Sequence, residues 1–128
     1  ATVYVQEPQL ENVCPGSGFA PVLRSQIEKE FNELQLQTVN SKEQASFLVN
    51  PQLTVSYTTK GRKTDVAIRW DLSIQISDIA TGNTFGTISQ TDISVGIDKN
   101  MAATRTRQYI GEWIKNNLDD MIVDKLLS

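Results

Sequence analysis

The sequence contains no histidine, a single cysteine and no long apolar run. Without histidine, the serine and cysteine triads that use imidazole as a base are excluded, and so are the zinc sites that use imidazole as a ligand. A membrane-spanning helix needs about 20 consecutive apolar residues, which this chain lacks. We therefore predict a protein that is not an enzyme, has no metal site or cofactor, and does not cross a membrane with a helix.

The single cysteine, Cys14, has no second cysteine with which to form an internal disulfide bond. We interpret it as an inert thiol in a loop or in the core, with an intermolecular disulfide as the alternative. The sequence begins at Ala1 without a leader peptide, and we expect that a leader has been removed. The chain is long enough for one hydrophobic core, so we predict a single domain over residues 1–128.

Basic residues are also too few for a nucleic-acid binder. The 12 lysines and arginines are outnumbered by 15 aspartates and glutamates, which gives a net charge of −3. Binding to phosphates normally requires a basic face, so we predict no nucleic-acid partner. The one basic cluster, Lys60, Arg62 and Lys63, surrounds a glycine and is typical of a solvated hairpin turn.

Two segments have the period of an amphipathic helix. From Phe19 onward, apolar residues recur at steps of three and four, and we place the charged residues, Glu30 among them, on the solvent side. A second helix follows Asp98, a predicted N-cap. Trp113 lies beside the apolar stripe of this helix, where it is either a core residue or a contact for a membrane interface or a partner.

Alternating apolar and polar residues predict four strands, at residues 2–6, 47–58, 66–77 and 84–97. Pro51 removes a backbone donor, so we expect the second strand to lie at a sheet edge or to be bulged. In the fourth strand the alternation changes beside Gly86, which predicts a bulge. Residues 7–18 are rich in proline and glycine, and we predict that they form a loop.

The predicted order is β-α-β-β-β-α. Short turns join the last three strands into an antiparallel meander, whereas the first strand joins them through a crossover helix. We therefore predict an α+β, two-layer domain. Its mixed four-stranded sheet would carry two helices packed on one face.

Residues 44–50 (QASFLVN) and 70–82 (WDLSIQISDIATG) resemble a recurring pattern of bacterial envelope proteins. In that pattern a strand that begins with alanine, a small residue and an aromatic precedes a hairpin that ends in Asp-x-x-Thr-Gly. The group includes the curli secretion channel lipoprotein, the penicillin-binding-protein activator lipoproteins, the Pel exopolysaccharide lipoprotein and the amino-terminal domain of TolB. The resemblance implies a non-enzymatic periplasmic domain of the same fold, anchored to the outer membrane through a lipidated cysteine upstream of Ala1.

The resemblance further implies a scaffold that acts through contacts with other envelope proteins or through assembly into a homo-oligomer. Polysaccharide export, cell-wall synthesis and appendage assembly are the processes in which such domains work. We expect the contacts at residues that the core does not need. These predicted partner-binding residues are Glu11, Asn12, Ser17, Lys60, Arg62, Lys63 and Trp113.

A module for a small ligand or a glycan is the alternative. It would use the loop of Gly16 and Gly18, which precedes the first helix, together with the acidic face of the main hairpin, where Asp71 and Asp78 lie. A concave pocket with convergent polar groups beside that loop would favour this alternative.

Overall fold

The computed structural model describes residues 1–11, 18–58 and 65–127, except for the side chain of Glu11. Within these residues the elements follow the order β1 (Thr2–Val5), β2 (Gln9–Glu11), α1 (Phe19–Glu33), β3 (Gln37–Thr38), β4 (Phe47–Thr58), β5 (Val66–Asp78), β6 (Thr84–Gly96) and α2 (Lys99–Leu126). A short 3₁₀ helix, Lys42–Gln44, precedes β4. The predicted α+β class, with two helices and a mixed sheet, is confirmed.

The strands of the described residues form one sheet in the order β3-β1-β4-β5-β6, and β2 pairs with β4 in line with β1. Both β1 and β2 run parallel to β4, whereas β4, β5 and β6 form the antiparallel meander that was predicted. The sheet has six strands rather than four, because β2 occupies part of the predicted loop and β3 follows α1. Both extra strands are too short to show a period of two.

Pro51 lies in a strand that has neighbours on both sides, so the predicted edge position is wrong. Strand β1 pairs with β4 as far as Val49, and β2 pairs with it from Gln52 onward. Pro51 falls in the gap between these two ladders. Its missing N–H therefore removes no hydrogen bond on that side.

The core lies between the two helices and one face of the sheet. Its largest fully buried side chains are Trp70, Phe31, Leu23, Ile27, Leu53, Ile68, Leu72, Ile74, Ile76, Ile114, Leu118 and Ile122. The even-numbered residues of β5 supply five of these, as the alternation predicts. Glu30 is also fully buried, so its predicted place on the solvent side of α1 is wrong. It follows Ile27 by three residues, which puts it on the buried face of the helix.

Strand β6 contains the predicted bulge. The pairing between β5 and β6 shifts by one residue at Phe85, next to Gly86. Beyond the bulge, Ile88 packs against the core, whereas Ile93 and Val95 lie on the opposite face of the sheet. The strand leads into α2, where Asp98 caps the helix: its Oδ1 accepts a hydrogen bond from the N–H of Met101 at 2.7 Å, as predicted.

Candidate functional site

Trp113 is the predicted partner-binding residue whose side chain can be placed. It is partly buried on α2 and packs against the core. Of Glu11 only the backbone is described, at the end of β2. The other predicted binding residues, and Cys14, lie outside the described residues: Asn12, Ser17, Lys60, Arg62 and Lys63.

Trp113 lines a groove of about 570 Å³ between α2 and β6. One wall is residues 86–90 of β6, and the other is the flank of α2 from Trp113 to Lys125. The side chain of Asn117 is held in this wall, because its Nδ2 donates to the carbonyl of Trp113 at 2.8 Å. We call this surface the β6–α2 groove.

The groove runs along an edge of the sheet that no other described strand covers, because β6 is the last strand in the strand order. In an antiparallel ladder the N–H and C=O of one residue point to the same side, and the side alternates along the strand. Two hydrogen bonds fix which residues of β6 point outward. The N–H of Ile93 donates to Oδ1 of Asp92 at 2.8 Å, and the carbonyl of Val95 accepts from Nη1 of Arg105 at 2.7 Å. The odd-numbered residues therefore face away from β5.

The two halves of this edge differ. At Ile93 and Val95 the chain's own side chains bind outward-facing backbone groups. At Thr87, Ser89 and Thr91 the outward N–H and C=O groups have no hydrogen-bond partner among the described residues. The half of the edge that borders the groove is thus the half that is open.

The groove is acidic on its helical side. Asp120 and Asp124 are exposed and lie four residues apart, so they share one side of α2. Nζ of Lys125 lies 3.4 Å from Oδ2 of Asp124 and partly neutralises it. No described residue forms an ion pair with Asp120. The helical wall therefore carries a net negative charge beside the apolar surfaces of Trp113 and Met121.

A second pair of acids ties the two helices together inside the molecule. Oε1 of Glu30 on α1 accepts a hydrogen bond from Nε2 of Gln26 at 2.7 Å, while Oε2 of Glu30 and Oδ1 of Asp119 on α2 are buried without a donor. Burial raises the pKa of Glu30 to about 7, assisted by the hydrogen bond and charge of Asp119 and by the charge of Glu33. Protonation of Glu30 would give its Oε2 a hydrogen to donate to Oδ1 of Asp119.

The acids of the main hairpin have structural partners. Oδ1 of Asp78 accepts from the N–H of Thr81 at 3.1 Å and so shapes the turn. The carboxylate of Asp71 accepts from the hydroxyl of Thr91 and lies 3.6 Å from Nε of Arg69. Beside Asp71 is a depression of about 200 Å³ on the open face of the sheet, lined by polar side chains and Leu72. The loop proposed for the ligand-binding alternative lies outside the described residues, apart from Gly18.

The described residues contain no group of three or more histidine, cysteine, aspartate or glutamate side chains that could hold a metal ion. Among them, neither helix is long and apolar enough to cross a membrane.

The open half of the β6 edge and Asp120 were not among the predicted site residues. The alternation that predicts a strand at residues 84–97 is visible in the sequence. It identifies a strand, but it does not show that the strand lies at an edge, because strand order depends on pairing between distant segments.

No family model matches the sequence, and no curated protein matches it. Solved structures do match the fold. Lipoprotein GNA1162 from Neisseria meningitidis superposes with a TM-score of 0.63 at 9% identity, over 94% of this chain and 99% of that one. A minor lipoprotein from Acinetobacter baumannii gives 0.53 at 16% identity, over 91% and 94% of the two chains. The PelC dodecamer from Paraburkholderia phytofirmans gives 0.53 at 12% identity, over 89% and 86%.

These structures come from bacteria, and the first two are lipoproteins by name. The predicted resemblance to bacterial envelope lipoprotein domains is therefore confirmed at the level of the fold. At identities of 9–16% the likeness extends to the fold and not to the partners.

Proposed function

We propose that this chain is a non-enzymatic accessory or scaffold domain of the bacterial cell envelope. It works in the periplasm, held at the outer membrane by a lipid anchor outside residues 1–128. It acts by binding other envelope proteins at the β6–α2 groove. The fold that it has in common with bacterial lipoproteins supports the compartment, and the open edge of β6 supports the mode of action.

The observation that carries this proposal is the coincidence of two features on one surface. An unpaired strand edge attracts other polypeptides, and folded proteins usually block such edges. Here the chain's own side chains bind the edge at Ile93 and Val95 and leave it open at residues 87–91, beside Trp113. Tryptophan is enriched at protein interfaces because it combines a large apolar surface with one N–H donor.

Self-assembly is the second form that the function can take. The PelC structure is a dodecamer, so this fold is compatible with assembly of many copies. If the chain forms a homo-oligomer, light scattering will give a molecular mass that is a multiple of the mass of one chain. A strictly monomeric chain at high concentration would leave binding of other envelope proteins as the mode of action.

Site-specific photo-crosslinking tests the proposed function. A photo-activatable phenylalanine replaces Trp113 in the full-length protein, which is produced in its own cells. In the matched control variant, the same residue replaces the exposed Val22 on α1. We expect position 113 to give a protein adduct of defined mass in the envelope fraction and position 22 to give little. Equal adducts from both positions, or an adduct from position 22 alone, would contradict the groove as the docking surface.

A further inference from the structure

We propose that the β6–α2 groove binds an extended, basic segment of a partner protein, which adds to the sheet as a further strand along residues 87–91. This inference rests on the proposed function and specifies the chemistry of the partner. It follows from three properties of the groove: its open backbone groups, its length and its charge.

The open backbone groups set the binding mode. Thr87, Ser89 and Thr91 each direct an N–H and a C=O away from β5, and none of these groups is bonded to a described residue. An added strand can pair with such a row, because its backbone offers the complementary groups at the same spacing. A bound helix would leave the row unpaired, since a helix satisfies its own backbone.

The two capped positions set the length. The hydrogen bonds from Ile93 to Asp92 and from Arg105 to Val95 each engage one outward-facing backbone group, so the row in which both groups of every outward residue are open ends at Thr91. At the other end, the bulge at Phe85 breaks the regular ladder. The open row spans five residues, which corresponds to about 17 Å of extended chain.

The lining of the groove sets the side chains. Alternate side chains of an added strand point to the α2 side of the sheet. There they meet the apolar surfaces of Trp113 and Met121 and the carboxylates of Asp120 and Asp124. In a complementary segment, every second side chain faces α2. These side chains are aliphatic, except that at least one of them is a lysine or an arginine.

A second copy of this chain fits the groove less well. Pairing two β6 edges about a twofold axis would place two acidic flanks side by side, with Asp120 and Asp124 contributed by each copy. The opposite edge of the sheet is also unsuitable, because it is formed by β3 and β2, which have only two and three residues. Charge and length therefore favour a different protein as the occupant.

Selection from random linear peptides tests this inference. Nine-residue peptides displayed on phage are selected on the purified chain, and the most enriched peptide is then synthesised. We expect alternating aliphatic residues with lysine or arginine. We also expect the affinity to fall with increasing salt and to fall several-fold in Asp120→Asn, because one charge contact is lost.

The decisive variants are Ser89→Pro and Ser89→Ala. Proline removes an N–H that points away from β5, so the pairing between β5 and β6 stays intact. Edge strands tolerate proline at such positions. We expect the proline variant to weaken peptide binding at least about tenfold, since one backbone hydrogen bond is lost and its ring obstructs the ladder. The alanine variant loses the serine hydroxyl but keeps the N–H, so it should bind several-fold more tightly than the proline variant.

A measurement on the unmodified chain covers the case in which Ser89→Pro does not fold. Peptide binding by strand addition slows hydrogen exchange at the amides of Thr87, Ser89 and Thr91 together, and binding by side chains alone does not. Peptides that bind without protecting these amides, or that bind Ser89→Pro as tightly as the unmodified chain, would overturn strand addition. The proposed function would survive that outcome, because crosslinks from position 113 report contact of any kind. A selection that enriches no peptide would also overturn the inference.

Discussion

Replacing Glu30 by glutamine is expected to make the stability of the chain almost independent of pH between about 4.5 and about 7. Over the same range the native chain becomes less stable as the pH rises. The folded chain holds the proton of Glu30 up to about pH 7, whereas the unfolded chain releases it near the ordinary value of 4.5. Between these values the folded state binds more protons, so the free energy of unfolding falls as the pH increases. The shift corresponds to a loss on the order of 3 kcal/mol, complete above about pH 7.

The glutamine variant has no proton to lose. Its amide can donate to Oδ1 of Asp119 and still accept from Nε2 of Gln26, as the protonated acid does. We therefore expect Glu30→Gln to be more stable than the native chain at pH 8, by about 1–3 kcal/mol, and to differ little from it near pH 4.5. Urea unfolding of the two chains at a series of pH values, followed by tryptophan fluorescence, measures these two differences in stability.

Glu33→Gln is the matched control, because it removes a charge from the same helix at a more exposed position. It should lower the pH dependence only slightly. Native and Glu30→Gln chains whose free energies of unfolding run parallel from pH 4.5 to 8 would contradict this account, because they would show that the pKa of Glu30 is the same in the folded and unfolded chains.

Replacing Gly96 by alanine is expected to be strongly destabilising. A Cβ atom at this position would lie 2.5 Å from the backbone nitrogen of Ala102 and 2.9 Å from its Cα. Backbone atoms cannot rotate away as a side chain can, so the first turn of α2 would have to move off the end of β6. That movement also strains the cap between Asp98 and Met101. We expect a loss of about 3 kcal/mol, at the upper end of the usual cost of overpacking.

Gly111→Ala provides the control for Gly96→Ala within the same helix. Its added Cβ would meet only Oε1 of Gln26, at 3.7 Å, which is an ordinary contact. Because alanine is the better helix former, this variant should be more stable than the native chain by up to about 1 kcal/mol. Thermal unfolding followed by circular dichroism measures both variants. A Gly96→Ala chain as stable as the native one would show that α2 does not cross β6 at this distance.

Elements with a strong local period could be predicted from the sequence. The alternation in β5 gave its buried face, including Trp70, and the three- and four-residue steps gave most of the core residues of both helices. Asp98 could be predicted as a cap because a cap depends on residues next to it in the chain. These features need no knowledge of what packs against them.

Features that depend on distant segments could not be predicted in this way. The pairing of β2 with β4 places Pro51 inside the sheet, and nothing near Pro51 in the sequence indicates this. Glu30 was placed in solvent with the other charged residues of α1, but it faces Asp119 on α2, and its raised pKa lets it be buried as the neutral acid at lower cost. The open edge of β6 likewise results from strand order. Of the candidate site, only Trp113 could be found from the sequence.

The docking function rests on the claim that β6 has an open half and a capped half. Residue-resolved amide hydrogen exchange on the free chain tests this claim most directly. We predict that the amides of Thr87, Ser89 and Thr91 exchange at least about tenfold faster than those of Ile88 and Gln90, which point to β5. Equally slow exchange at both sets would contradict the claim, because it would mean that the edge beside Trp113 is already covered.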